Sequence, residues 1–391
     1  MEILLALLVA LGLGTIFSSG SDSEDAVTET DDGSEETEPP EDEEIIEIPE
    51  DETTEPPVEV VATDGDDVVV FGSGADEFDA LRGEDSIDGG AGFDILSGGA
   101  GDDTIEGGLG KDTIYGDDGD DDLSGGSWND TIYGGQGFDD LDGGSSNDTL
   151  FGGLGKDLLV GGTGDDELIG DEWVDGLFGG QGDDILSGND GEDLLVGGEG
   201  QDRLAGGSND DLLLGGADSD LLVGQGGDDI LIGSQLLNRD LTESDYNDIR
   251  NDTLPENEEG EGLFNDWYLT GTDQDSEADT LFGDDGDDSL LLGNNDVGAG
   301  GEGSDDFLLG DWIVDEQFAL ITDFDSTEDI IVIFLEEDNL DAEITTFNVE
   351  GDEIILINGI AVGQVQGSFD INDGIDADII TTSYIGSAPA S

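Results

Sequence analysis

Residues 98–115 read GGAGDDTIEGGLGKDTIY, two nine-residue blocks in one frame. Each block has Gly at its first, second and fourth places, Asp at its sixth and an apolar residue at its eighth. The frame runs from Ala62 to Ile232. Its sixth place is Asp67, Asp76, Asp85, Asp94, Asp103, Asp112, Asp121, Asp130, Asp139, Asp148, Asp157, Asp166, Asp175, Asp184, Asp193, Asp202, Asp211, Asp220 and Asp229, nineteen blocks without a miss. An apolar residue follows two places after each Asp, from Val69 and Phe78 to Leu222 and Leu231. A register kept over 171 residues is an internal repeat, and a period this short belongs to a solenoid.

The residue types dictate the coil. Glycine adopts positive φ at little cost, so Gly89, Gly90 and Gly92 are expected to form a turn closed to other residues. The run after the Asp, such as Ile95-Leu96-Ser97, suits a short strand with one side chain pointing in. Two nonads then make a coil of eighteen residues, and each strand pairs in parallel with the strand eighteen residues later. At ~4.8 Å per coil the nonads give a rod of roughly 45 Å.

One apolar side chain per nonad is a thin core. Stacking also sets acidic turns over one another: Asp76, Asp94 and Asp112 in one column, Asp85, Asp103 and Asp121 in the other. A divalent cation removes both difficulties. Ca²⁺ takes six to eight oxygens at ~2.3–2.6 Å from carboxylates and carbonyls, whereas Mg²⁺ demands a smaller, stricter octahedron and gives up water reluctantly.

The nonad G-G-x-G-x-D-x-apolar-x resembles the repeat of the RTX (repeats-in-toxin, hemolysin-type) calcium-binding proteins, over about half of the chain. The resemblance implies an all-β fold, a right-handed parallel β-roll (β-solenoid) with several Ca²⁺ in rows along both edges. It implies as ligands the carboxylates of Asp76, Asp85, Asp94, Asp103, Asp112, Asp121, Asp139, Asp157, Asp166, Asp184, Asp193, Asp202, Asp229, Asp288 and Asp305, with carbonyls of turn glycines such as Gly90, Gly92, Gly99, Gly101, Gly108 and Gly110. The fourth place departs from Gly at Trp128, Ser146, Trp173, Asn209 and Asp218. A Trp strains a turn that wants φ > 0, so weaker or absent Ca²⁺ is expected around Trp128 and Trp173.

Composition narrows the function. The 391 residues include 67 Gly, 105 acidic and only six basic residues, for a net charge of −99. Twenty bound Ca²⁺ would offset only about 40 of those charges. Nucleic acid is excluded as a direct partner by like-charge repulsion. The chain has no Cys and no His. Disulfides, a Ser-His-Asp triad and an H-E-x-x-H zinc site are therefore excluded.

Residues 1–17 contain an apolar run, Ile3–Phe17, that suits a signal-peptide core or, left uncleaved, an anchor and the chain's one expected membrane contact. Residues 18–61 are an acidic linker expected to be disordered, interrupted by Ile45, Ile46 and Ile48. The β-roll spans 62–232. Residues 233–273 break the register as an insertion loop carrying Leu236, Tyr246, Ile249, Leu263, Phe264, Trp267 and Tyr268. They serve either as a recognition patch or as packing against the rod flank. The nonad returns over 274–309 at Asp279 and Asp288, slips by one residue, and returns at Asp305. Residues 310–391 are expected to form a β cap, with strands at 318–324, 329–334, 343–349, 353–357, 360–365 and 379–384. Within it Ala319–Asp325 followed by Asp329-Ile330-Ile331 resembles the segment that closes such rolls.

Acidic pairs such as Asp102-Asp103 recur at the repeat period, so they read as scaffold rather than a glycosidase acid and base. Gly-rich runs such as Gly197–Gly200 lack the P-loop Lys. No catalytic or cofactor-binding residues are assigned. The sequence points to a secreted or cell-surface Ca²⁺-binding β-roll without enzymatic activity, structural or matrix in role. The alternative is a calcium-dependent adhesin that presents the 233–273 loop to a cell-surface, carbohydrate or protein partner. A pore-forming toxin would need a long apolar region, and none exists outside Ile3–Phe17.

Overall fold

A computed structural model describes residues 45–47, 61–233, 278–310, 313, 317–336, 344–349, 352–366 and 381–384. They form a parallel β-solenoid of about eleven turns, and no helix occurs among the described residues. Alternate nonads feed alternate sheets. The first sheet stacks Ser86–Asp88, Thr104–Gly110, Asp122–Ser127, Asp140–Ser145, Leu158–Thr163, Gly176–Gln181, Leu194–Glu199, Leu212–Ala217 and Ile230–Ile232. The second stacks Ile95–Ala100, Thr113–Asp118, Thr131–Gln136, Thr149–Leu154, Glu167–Glu172, Ile185–Asp190, Arg203–Ser208 and Leu221–Gly226.

Pairing is by identical place in the nonad. Thr131 faces Thr149, Ile132 faces Leu150 and Tyr133 faces Phe151, and the same ladder continues to Gly135 with Gly153. The strands are longer than the three-residue run expected after each Asp. Each passes through the first two glycines of the following block, bending at the second, where Gly99, Gly108 and Gly135 hold φ of 106°, 98° and 122°. The chain thus stays in the ladder while it turns a corner.

Of the three strand residues after each Asp, only the eighth-place one points inward along the whole rod. Leu96, Ile114, Ile132, Leu150, Leu168 and Leu186 fill one side of the core, and Ile105, Leu123, Leu141, Leu159 and Leu177 fill the other, all essentially buried. The neighbouring seventh and ninth places face outward, which strand alternation requires. On the second sheet the rings of Tyr115, Tyr133 and Phe151 stack at the ninth place, with centroids 5.0 and 4.9 Å apart.

Three features lie at the borders of the repeat. Ile45–Glu47, inside the acidic stretch, pairs in parallel with Val68–Val70 and covers the first edge of the sheet. Its isoleucines are what distinguishes it from the surrounding carboxylates. Leu221–Gly226 pairs directly with Thr280–Asp285, and Ile230–Ile232 with Ser289–Leu291. The coil therefore continues across residues 234–277, which lie outside the described residues. Beyond Asp306–Gly310 the first sheet gains Ile330–Glu336 and Thr381–Tyr384. The second gains Ala319–Ile321 and then Ile360–Val365, Asp352–Ile357 and Ile344–Val349, the last two joined antiparallel. The apolar run 3–17 and most of the acidic stretch also lie outside the described residues.

This core predicts unequal sensitivity by place. Leu150→Ala should lower the stability of the folded protein by about 2–5 kcal/mol in denaturant unfolding. Tyr115→Ala, at an outward place, should cost no more than about 1.5 kcal/mol, the range of one lost ring stack.

Candidate metal centre

The sixth-place carboxylates turn inward beneath their turns and link coil to coil. In each, Oδ1 accepts a hydrogen bond from the backbone N–H of the sixth-place residue one coil earlier. Asp85 N–H donates to Asp103 at 2.7 Å, Asp103 to Asp121 at 2.8 Å and Asp121 to Asp139 at 3.0 Å. The other column repeats this: Asp94 N–H to Asp112, Asp112 to Asp130, each 2.8 Å, and Asp148 to Asp166 at 2.7 Å. The ladder crosses the insertion without a break, with Asp220 N–H donating to Asp279 and Asp229 to Asp288, both at 2.9 Å. It then takes in Asp296, Asp305 and Asp329.

The second oxygen has a different fate. Oδ2 folds back against the first glycine of its own block. A Cβ on Gly98, Gly107, Gly134 or Gly161 would collide with Oδ2 of Asp103, Asp112, Asp139 or Asp166. That approach, not backbone conformation, reserves the first place for glycine. Gly89 and Gly92 have no positive φ; of the three residues expected to need it, only Gly90 does, at 78°. A Cβ on Gly89 would meet the Gly107 carbonyl 2.7 Å away, and one on Gly92 would overlap the Gly74 carbonyl. Stacking leaves no room for a side chain at either place.

Oδ2 is buried with no hydrogen-bond partner at Asp85, Asp94, Asp103, Asp112, Asp121, Asp166, Asp184, Asp193, Asp202, Asp229, Asp288 and Asp305, and at Asp139. A carboxylate normally accepts several hydrogen bonds, and a buried charge without compensation is costly. Here the orphan recurs at the repeat period, so it is a property of the turn. Arg82 pairs with Asp64 at 3.9 Å on the surface, far too exposed to compensate the columns.

Burial pushes these carboxyl groups up. The N–H bond to Oδ1 opposes the shift and neighbouring carboxylates add to it. Asp94 and Asp103 are raised to about 6, Asp121 and Asp184 to about 7, Asp139 and Asp288 to about 8, and Asp175 and Asp211 to about 9. At neutral pH the column needs protons or cations.

Among the described residues no three carboxylates converge on one point. A cation beside Oδ2 would draw most of its shell from backbone oxygens, which suits Ca²⁺. The residues present therefore fit the ion: a buried acceptor without a donor, and a glycine turn with no side chains in the way, with Lys111 beside Asp130 the one ammonium group that bears on the columns among the described residues.

The expected ligands Asp85, Asp94, Asp103, Asp112, Asp121, Asp139, Asp157, Asp166, Asp184, Asp193, Asp202, Asp229, Asp288 and Asp305 all lie in the two buried columns. Asp76, at the open end, is half-buried. Gly90, Gly99, Gly101, Gly108 and Gly110 hold positive φ in the adjoining turns. Sequence reasoning left out Asp130, Asp148, Asp175, Asp211 and Asp220, yet their carboxylates take the same pose. What differs is the backbone. Fourth-place Gly101, Gly110, Gly137 and Gly155 have φ of 136–148°, whereas Trp128, Ser146, Trp173, Asn209 and Asp218 have 76–91°. Asp296 and Asp329 were also missed. Asp296 follows Asp279 by 17 positions instead of 18, a signal open to any scan that permits one deletion.

The family model of the RTX calcium-binding nonapeptide repeat, four copies long, matches residues 61–96, 79–114, 97–132, 124–159, 151–172, 175–204 and 205–235. Such repeats bind Ca²⁺ at multiple sites. No curated protein matches the chain. Among solved structures, the crystal structure of a hyperactive, Ca²⁺-dependent, β-helical antifreeze protein from an Antarctic bacterium is similar at 14% identity. It covers 71% of this chain and 75% of that one, with a TM-score of 0.39.

The raised carboxyl groups set a pH dependence. Their folded-state affinities for protons exceed that of a free carboxyl near 3.8, so protonation stabilises the metal-free coil fully below that value and is lost as pH rises through about 6 to 9. Metal-free protein should show more sheet by circular dichroism at pH 5.5 than at pH 9. The affinity of the folded coil for Ca²⁺ should fall on acidification, because protons compete for the same oxygens. More sheet at pH 9 without metal would contradict the assignment.

Proposed function

We propose that this chain, whose residues 61–235 are RTX calcium-binding repeats, is an extracellular or cell-surface protein that folds when it binds Ca²⁺ and acts as a stiff structural or matrix element. The observation that carries the reading is the double column of buried carboxylates whose Oδ2 atoms have no donor. The fold places two long columns of negative charge inside a glycine-rich coil, and among the described residues only Lys111, beside Asp130, offsets any of it.

The ligands are the sixth-place Asp Oδ2 atoms and the carbonyls of the turns beside them, Gly90, Gly92, Gly99, Gly101, Gly108 and Gly110 among them. Ca²⁺ held there would supply the positive charge that the columns lack. The residues do the rest: Oδ1 sets the register through the N–H one coil away, and the eighth-place side chains exclude water from between the sheets. At sub-micromolar Ca²⁺ the net charge of −99 keeps the coil open. Sites with Kd of ~10⁻⁴–10⁻³ M fill only outside the cell, so the ion gradient is itself the folding signal.

A non-catalytic role is supported by the repetition of the acidic groups. Among the described residues the column carboxylates repeat one pose from coil to coil, which suits a scaffold rather than a single acid–base pair.

Titrating metal-free protein with Ca²⁺ should produce a cooperative gain of sheet signal that Mg²⁺ at the same concentration does not reproduce. A chelator should reverse it. A chelated sample that stays compact and sheet-rich would reject the proposal. Trp128→Gly and Trp173→Gly should each tighten Ca²⁺ binding or add bound ions by calorimetry, because the wider φ of a fourth-place glycine becomes available. Unchanged binding would show that the tryptophan turns are already equivalent to the others.

A further inference from the structure

The nonad carries a longer period. Residues 91–135 and 136–180 are two copies of a five-nonad unit, and they agree at places that neither the core nor the carboxylate columns fix. Phe93 recurs as Phe138, Leu109 as Leu154, Lys111 as Lys156 and Trp128 as Trp173. Lys111 and Lys156 are the only lysines of the chain. The next five nonads have Asp183, Glu199, Gln201 and Asp218 at the same four places. All four residues are kept together or lost together, as the parts of one site would be.

The register gathers each set at one corner of three successive coils. Gly92 pairs with Gly110, Ala91 with Leu109, and Leu109 with Ser127, so Phe93, then Leu109 and Lys111, then Trp128 follow one another within ~10 Å along the rod. In the second set Gln136 pairs with Leu154 and Leu154 with Glu172, which aligns Phe138, Lys156 and Trp173 in the same way. Five is an odd number and successive nonads turn at alternate edges, so the two sets lie on opposite edges of the rod. Phe93, Leu109 and Trp128 are 60–65% exposed, and Phe138, Leu154 and Trp173 44–62%. None of the four rings stacks on another ring among the described residues. Single exposed apolar side chains are ordinary, but the same cluster built twice on an acidic exterior is not.

We propose that these two clusters are equivalent binding sites for a neutral polysaccharide, so that one rod bridges two glycan chains. The face of an aromatic ring is negative and attracts the C–H groups of a sugar ring, while the lysine ammonium has three N–H donors for sugar hydroxyls. A polyanion would be repelled by the net charge of −99. A stable protein interface buries about 800 Å² per partner, more than four side chains spread over ~10 Å can supply. A polysaccharide asks less of each site and engages both at once. The inference adds a partner to the proposed matrix role, and it depends on the coil rather than on what fills its turns.

Affinity electrophoresis of the intact, Ca²⁺-loaded chain through gels holding a neutral glucan, mannan or galactan tests it, with dextran sulfate as the polyanion. At least one neutral polysaccharide should retard the chain. Trp128→Asn or Trp173→Asn should weaken retardation about tenfold or more, through lost bivalency, and the double variant should abolish it. Asn209 holds the same fourth place at φ 84°, so the turn accepts asparagine. Lys111→Gln with Lys156→Gln, copying Gln201, should weaken it severalfold. The intact chain should also raise the light scattering of the soluble polysaccharide by bridging, and neither single tryptophan variant should. Retardation by none of the three, undiminished retardation of the double tryptophan variant, retention by dextran sulfate alone, or tryptophan-dependent self-association in sedimentation would overturn the proposal. Circular dichroism tests the metal reading separately: a normal Ca²⁺ titration without retardation rejects the glycan sites alone.

Discussion

A single contact repeats through the molecule and orders everything else: a sixth-place Asp accepting, through Oδ1, the backbone N–H of the sixth-place residue one coil earlier. It fixes the stacking register, because no other residue of the nonad is both inward and charged. It also commits half of each carboxylate to the backbone and leaves the other half buried. Hydrogen bonding and charge are therefore in conflict at the same group. The N–H ladder favours the ionised form, while burial and the column of like charges oppose it. A cation beside Oδ2 would relieve that conflict, favouring the ionised form without giving up the N–H ladder.

The glycines follow from this contact, each for its own reason. The first place is glycine because Oδ2 lies where its Cβ would be. At the second place the strand bends through positive φ, and this is the tolerant position: Leu81, Asp117, Asp171, Asn189 and Gln225 hold it at 76–81°. The fourth place stacks directly beneath its counterpart, so that a Cβ on Gly110 falls on the Gly92 carbonyl. Side chains enter there only where φ closes toward the left-handed helical value, as at Trp128 and Trp173. Conformation, stacking and carboxylate approach thus impose three separate demands on one short turn.

Much of this was readable in the chain. Period, parallel pairing at eighteen residues and the inward eighth place follow from alternation and from the spacing of Asp and Leu, and the structure pairs Ile132 with Leu150 accordingly. The reasons for the glycines were only partly readable, because positive φ is a local property whereas the clashes at Gly89 and Gly92 come from the coil above or below. Five Asp residues stand in blocks with altered fourth places, and weaker binding is expected from the turn alone around Trp128 and Trp173. Their carboxylates are positioned by the ladder, which the turn does not control. Asp329, beside Ile330 and Ile331, shows no nonad spacing along the chain. It lies 24 positions after Asp305, and only the three-dimensional stack shows that it continues the series.

The ladder also explains why a solenoid built on so regular a repeat tolerates an interruption. Each coil touches only its neighbours, so chain can be added between two coils if the next block recovers the same partners. Asp279 and Asp288 do so: they accept from Asp220 and Asp229 at the distance seen everywhere else, across a separation of 59 residues. The later slip to 17 residues passes in the same way, with Asp296 and Asp305 taking up the bonds. The turn can lose a residue because its own conformation is not what holds the coil in place. What must be kept is one inward carboxylate per turn, within reach of the N–H below it and with an apolar side chain two places on. The stack thus constrains the spacing between coils, and the lengths of the connections are free to vary.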